Sequence, residues 1–305
     1  MKDSIMITRS NSNMKFLLCL EAYPPQIVRI SLEDGTKETL LEITNGTPDG
    51  IWIDRNTGKI YWTIMGKMTD PPEGYFAKDG TIECCNQDGS EHTVLVGNGS
   101  ITTPKQITGD EKTHRLYWCD REGMAVMSSF ADGTGLEVLL QYEKDDSNSN
   151  EVEKHCVGIA LNPQKDYLYW TQKGPAKGGK GKIFRMKLSQ KFPASDSDIE
   201  LLMDHLPEPI DLEFGHKTGK LYWTDRGAEP DGNSLNCAEV SGNGELTNHR
   251  IIAKGLKEGI GLALDEGENI AYTSDLGGYI RKINLTDGSE SIILQQGPMT
   301  GIALL

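Results

Sequence analysis

Leu221-Tyr222-Trp223-Thr224-Asp225 has three near-copies upstream: Ile60-Tyr61-Trp62-Thr63, Leu116-Tyr117-Trp118-Cys119 and Leu168-Tyr169-Trp170-Thr171. The echo returns roughly every 50 residues, and self-similarity at such a period marks a repeat architecture. Units of that kind bury their faces by stacking on one another.

A short β-like run precedes each echo, usually opening on Gly and closing on Asp or Asn. These runs are Gly50-Ile51-Trp52-Ile53-Asp54, Gln106-Ile107-Thr108-Gly109-Asp110, Gly158-Ile159-Ala160-Leu161-Asn162, Asp211-Leu212-Glu213-Phe214-Gly215 and Gly261-Leu262-Ala263-Leu264-Asp265. A third run follows the echo and often closes on Asp-Gly, at Asp88-Gly89, Asp132-Gly133 and Asp287-Gly288. Asp-Gly between apolar runs is a hairpin signal, because both residues tolerate positive φ. A weaker fourth run completes the unit, as in Thr93-Val94-Leu95-Val96. Four short strands per repeat make one propeller blade.

Five units carry all four runs, the fifth with the degenerate echo Ile270-Ala271-Tyr272-Thr273. The N-terminal unit, from Phe16-Leu17-Leu18-Cys19-Leu20 onward, lacks a first strand. The chain ends on Gly301-Ile302-Ala303-Leu304-Leu305, which has the missing pattern. The expected fold is all-β: a six-bladed β-propeller of four-stranded blades over residues 15–305, the C-terminal strand joining the N-terminal blade. Such closure removes the sheet edges that an open array would expose. Residues 1–14 are polar and are expected to form a flexible segment.

These residues resemble the YWTD propeller, the six-bladed module of lipoprotein-receptor ectodomains, over nearly the whole chain. The Asp of that motif stands at Asp225 and, behind Cys119, at Asp120; Ile64 and Gln172 replace it elsewhere. The resemblance implies the fold and is nearly silent on function. Receptor propellers are secreted and flanked by cysteine-rich modules. Here six cysteines, at 19, 84, 85, 119, 156 and 237, form no CxxC pair and fall mostly within expected strands. That pattern suits buried thiols in a reducing compartment. The polar stretch before Phe16 does not read as a secretory leader, and no apolar run is long enough to span a bilayer. A cytoplasmic location is expected. The net charge of −14 argues against nucleic acid or an anionic membrane as partner.

Short catalytic signatures are missing: no HExxH, no nucleophile elbow, no zinc spacing, and so no metal or cofactor is expected. Gly174 to Lys180 fits the first seven places of a phosphate loop, but Gly181 stands where Ser or Thr would bind magnesium. It reads as a basic hairpin loop. The longest links fall on one rim: residues 21–25, 65–79, 172–182 and 226–233 between second and third strands, and 143–154 between fourth and first. Long loops on one rim and tight turns on the other mark the binding rim. Aligned by repeat, the rim ends of the inner strands are Asp49, Lys105, Val157, Ile210, Ile260 and Thr300. A largely apolar ring with a few polar groups suits a small-molecule pocket. The adjoining loops add Tyr23, Tyr75, Phe76, Arg121, Lys173, Arg226 and Asp275, and His155 lies beside one inner-strand end. Each charged residue among them also has a plain reading as a solvated rim charge.

Two classes of function follow. Small free-standing propellers that look like this one include the fungal hetero-Diels–Alderases of tropolone-sesquiterpenoid pathways, a resemblance of architecture and context without a shared short motif. It implies an enzyme of secondary metabolism that joins an o-quinone methide to a terpene alkene, needing no cofactor. Lys105 or Arg121 would polarise the quinone-methide oxygen, and Asp49 or His155 would assist loss of water from its precursor. Val157, Ile210, Ile260, Thr300, Tyr75, Phe76, Tyr23 and Arg226 would hold the apolar small-molecule substrates. The other class is a non-catalytic scaffold whose rim grips a protein or peptide. A lactonase-type hydrolase is a third reading; it needs carboxylates at the mouth, where the ring offers only Asp49 and the loops Asp70 and Asp275. Pairing of two rings as a homodimer is left open.

Overall fold

In the computed structural model, whose described residues are 15–69, 74–143 and 151–305, six four-stranded antiparallel sheets are found. Residues 1–14 and Asp70 lie outside the described residues. Named from the inner strand outward, blade I is Met299–Leu304, Phe16–Ala22, Pro25–Ser31 and Lys37–Glu42. Blade II is Pro48–Asp54, Lys59–Ile64, Thr81–Asn86 and Thr93–Val96. Blade III is Pro104–Asp110, Arg115–Asp120, Ala125–Phe130 and Glu137–Gln141. Blade IV is Cys156–Asn162, Tyr167–Gln172, Gly181–Lys187 and Ile199–Leu206. Blade V is Pro209–Gly215, Lys220–Asp225, Ser234–Val240 and Leu246–Lys254, and blade VI is Gly259–Asp265, Ile270–Asp275, Tyr279–Asn284 and Glu290–Gln295. The inner strands neighbour one another in blade order and blade VI returns to blade I. The C-terminal strand supplies the inner position of blade I, Leu304 facing Leu17. The ring is therefore closed by the strand the sequence assigned to it.

Among the described residues, each pair of adjacent blades encloses one large apolar cluster of the core. The echo explains this division. Side chains alternate across a strand, so Tyr and Trp must face opposite neighbours. Tyr222 packs toward blade VI with Leu262 and Ile283. Trp223 packs back toward blade IV with Tyr169 and Ile183. Trp62, Trp118, Trp170 and Trp223 are fully buried. Burying each indole contributes roughly 4–6 kcal/mol before conformational entropy is subtracted. Among the described residues their N–H groups find no acceptor, which takes back about 1–3 kcal/mol apiece.

The next residue of the echo shares the tyrosine's face and reaches the next blade. Thr171 Oγ1 accepts the Gly158 N–H within blade IV at 2.7 Å and donates to the Ile210 carbonyl of blade V at 2.9 Å. Thr63 does the same between Gly50 and Lys105, and Thr224 between Asp211 and Ile260. Ser274 donates to the Thr300 carbonyl, and Cys119 Sγ lies 3.4 Å from the Gly158 carbonyl. The inner strands come so close that a Cβ at Gly158 would sit 2.0 Å from the Ile210 carbonyl oxygen. That contact accounts for the glycine that opens most inner strands. Replacing Thr171 with Val keeps the shape and removes the hydroxyl, leaving Gly158 and Ile210 without their shared partner. The expected cost is about 1–3 kcal/mol, read as a lower urea midpoint at unchanged slope. An unshifted midpoint would refute the bridging role.

Candidate functional site at the loop-rich channel mouth

The motif aspartates build the rim. Asp120 accepts the backbone N–H groups of Thr102, Thr103 and Gly123. Asp225 accepts those of Glu208 and Gly227, and Asp275 those of Lys257 and Tyr279. Each ties the loop entering the blade to the turn leaving its second strand. Asp275 is thus engaged as a structural acceptor. Among the described residues no group of three or more His, Cys, Asp or Glu side chains is placed to hold a metal ion.

A second backbone pattern fixes the mouth. In blades II to VI the residue after the second strand donates its N–H to the carbonyl two places before the inner-strand rim residue. Met65 bonds Thr47, Arg121 bonds Thr103, Lys173 bonds His155, Arg226 bonds Glu208 and Leu276 bonds Glu258. Side chains from consecutive blades are thereby brought to one level.

The polar arc lies on blades II and III. Asp49 and Lys105 are buried, and Lys105 Nζ donates to Asp49 Oδ1. Met65 Sδ lies 3.2 Å from the same nitrogen, and Gln106 Nε2 donates to Asp49 Oδ2 at 3.3 Å. Burial pushes the Lys105 ammonium down to about 8; Asp49 opposes the shift, while Arg121 and Arg226 add to it. Arg121 donates to both oxygens of Glu122 at 2.7 and 2.8 Å and lies over the Tyr75 ring at 6.0 Å. Glu208, between blades IV and V, holds Arg226 at 2.8 Å, Lys173 at 3.5 Å and the Lys177 N–H at 2.9 Å. Burial lowers Lys173, with Glu208 opposing and Arg226 and Arg121 adding. His155 is pushed down to about 4 by burial, with Glu122 opposing and Arg121 and Lys173 adding. It is a neutral imidazole at pH 7.

The apolar arc occupies blades IV to VI. Val157, Ile210 and Ile260 are buried against one another with Leu276 beside them. Thr300, between the two arcs, donates its hydroxyl to the Pro48 carbonyl at 3.0 Å. Tyr75 is buried, its hydroxyl on Thr47 and its carbonyl accepting from Thr103. Phe76 and Tyr23 stand exposed and do not join the mouth cluster. Sequence reasoning missed Glu208, Glu122, Gln106 and Met65. Met65 and Glu208 sit at offsets shared with named residues, so repeat alignment could have found them. Along the channel a cavity of about 600 Å³ opens at the tight-turn end, away from the loop-rich mouth.

Fold and rim define a six-bladed YWTD-type propeller. No family model matches the chain. It is 44% identical over 280 residues to the low-density lipoprotein receptor-related protein 1 of Pyricularia oryzae, covering 88% of each chain, and it belongs to that protein's family. It is 36% identical over 273 residues to the 3-hydroxyacyl-CoA dehydrogenase-like protein LAM1 of Cochliobolus heterostrophus. That match takes in 84% of this chain and spans 56% of the relative's length. Among solved structures, the nidogen/laminin complex contains a chain of the same fold, with a TM-score of 0.74 and 19% identity, covering 95% of this chain and 98% of that one. No helix among the described residues is long and apolar enough to cross a membrane.

Two outcomes are expected here. Asp49→Asn strands a buried ammonium and should cost about 3–5 kcal/mol, whereas Asp49→Asn with Lys105→Met should recover most of it; urea titration of the cycle measures both. For His155, the folded value lies below the ordinary 6.5, so the unfolded chain binds the proton more tightly. Its stabilisation is full above about pH 6.5 and is lost as pH falls toward 4. His155→Gln should flatten that part of the urea-midpoint profile.

Proposed function

We propose that the chain is a small-molecule enzyme working at its loop-rich mouth, and that the reaction is a hetero-Diels–Alder cycloaddition. The observation that carries this reading is the split mouth: a buried Lys105–Asp49 pair in the polar arc and Val157, Ile210 and Ile260 in the apolar one. An ammonium has three donor positions. Asp49 takes one and Met65 Sδ borders the nitrogen, so a donor is left for a substrate oxygen.

In the reaction, the heterodiene of an o-quinone methide meets the alkene of a terpene. One C–O and one C–C bond form together, the diene's π bonds shift, and nothing leaves. Charge gathers on the former carbonyl oxygen as the ring regains aromaticity, and Lys105 is positioned to donate to it. Asp49 holds the amine in place, so its role is positioning. Such a reaction asks the protein chiefly for orientation, which can supply up to roughly 7–11 kcal/mol. A single preorganised donor is worth about 10²–10³ in rate. Lys105→Met should lower kcat by about that factor, and Ile210→Ala should mainly raise KM and change the product ratio, both read by product analysis from an o-quinone methide precursor and a humulene-type alkene. Unchanged turnover in Lys105→Met would remove the central role.

The name of the Pyricularia oryzae relative favours a second reading, a rim that grips a polypeptide. Native mass spectrometry of the protein purified from its own cells separates the two. A retained apolar small molecule supports the enzyme; a retained polypeptide on a bare ring supports the scaffold.

A further inference from the structure

The cavity at the tight-turn end of the channel plays no part in the cycloaddition reading. All six inner strands contribute to its wall. Aligned by repeat, the fifth inner-strand position holds Trp52, Thr108, Ala160, Glu213, Ala263 and Ala303. Small side chains at Thr108, Ala263 and Ala303 leave the space, and one carboxyl is put into it. Glu213 is partly buried and, among the described residues, accepts no hydrogen bond. The other carboxylates at that end are engaged. Asp110 takes the Lys112 N–H and the Thr113 hydroxyl, Glu111 the Arg55 N–H, and Glu266 the N–H groups of Lys217 and Thr218.

We infer that this end of the channel binds an organic cation, its ammonium against Glu213 and its apolar body along Ile51, Ile53, Leu161, Phe214 and Ile302. About 600 Å³ falls within the range of small-molecule sites. Four carboxylates (Asp110, Glu111, Glu213 and Glu266) against Arg55 and Lys112 favour a cation over an anion there. Burial pushes the Glu213 carboxyl up to about 7, with Arg55 opposing and Glu266 adding. An ammonium ligand would supply the partner that the fold withholds. Its binding should strengthen as Glu213 ionises.

The probe is hexylammonium chloride, titrated into the full chain and followed by tryptophan emission. Trp52 lines the cavity, whereas the other four tryptophans are buried between blades. Saturable binding is expected, with hexanol at least tenfold weaker. Affinity should rise about tenfold from pH 6 to pH 8, since an ammonium keeps its charge over that range while Glu213 ionises. The ionisable groups around Glu213 are Arg55, Asp110, Glu111, Lys112, Asp211, His216 and Glu266. His216→Gln should leave affinity and pH dependence in place. Glu213→Gln should weaken binding at least tenfold and abolish the pH dependence while the melting temperature is kept, and Trp52→Phe should remove the emission change. Hexanol binding as tightly as hexylammonium, or Glu213→Gln binding like the native chain, would overturn the inference. A signal that persists in Trp52→Phe would place the ligand elsewhere and overturn it too. Lys105→Met should leave this binding untouched, so its fate is independent of the cycloaddition.

Discussion

The hydroxyl that follows Tyr-Trp in the repeat is the contact on which the rest depends. Apolar packing between two twisted sheets is non-directional and tolerates sliding. A hydroxyl that accepts from one inner strand and donates to the next does not. Thr63, Thr171, Thr224 and Ser274 fix the height of each inner strand against its neighbour. The carbonyls they hold belong to Lys105, Ile210, Ile260 and Thr300. Those are rim residues of the mouth, so the level at which the site is assembled is set by the same bonds that lock the blades together.

Much of this was legible. The Tyr-Trp period and the Gly-opened runs predict the blades, and Gly301 to Leu304 predicts the closing strand, because repeat patterns record which face of a strand meets which neighbour. Cys119 and Ser274 in place of Thr show the bridge weakened or varied without loss of the blade. Less was legible about the site. Alignment places Asp49 and Lys105 on adjacent blades, but whether they bury and pair depends on the twist between blades. Glu208 stands at the repeat offset of His155, so alignment gives its place, but its grip on Arg226 and Lys173 depends on how the loops of two blades meet. The lone acid among mostly small residues at the fifth inner-strand position was visible all along. Long loops drew attention to the other rim.

Loop length itself has a cause in the repeat. Asp120 and Asp275 pin short links of residues 121–124 and 276–278 by accepting their N–H groups. Where the carboxylate is replaced by Ile64 or Gln172, the link grows to residues 65–80 and 173–180. A loop without that acceptor is free to take on other work, and Tyr75 and Lys173 come from these two loops. Blade I breaks the link between the lost acceptor and the longer loop: it lacks the motif Asp, and residues 23–24 alone join its second and third strands. Blade V shows the limit of the rule: Asp225 is kept and the link still runs over residues 226–233.

Charge divides the channel between its ends. The chain carries −14 overall, yet its loop-rich mouth gathers Lys105, Arg121, Lys173 and Arg226 around Asp49, Glu122 and Glu208. Desolvated cations are tolerable there only because each has a carboxylate, and the interblade bonds hold those partners in place. At the far end the balance is reversed, and among the described residues the Glu213 carboxyl accepts no hydrogen bond, with the Arg55 charge alone offsetting its burial. The Thr224 bonds hold the inner strand of blade V, and with it the Glu213 backbone, at a fixed height against blade VI. On the two proposals made above, one end of the channel satisfies its buried charges internally, and the other offers a carboxylate to a ligand.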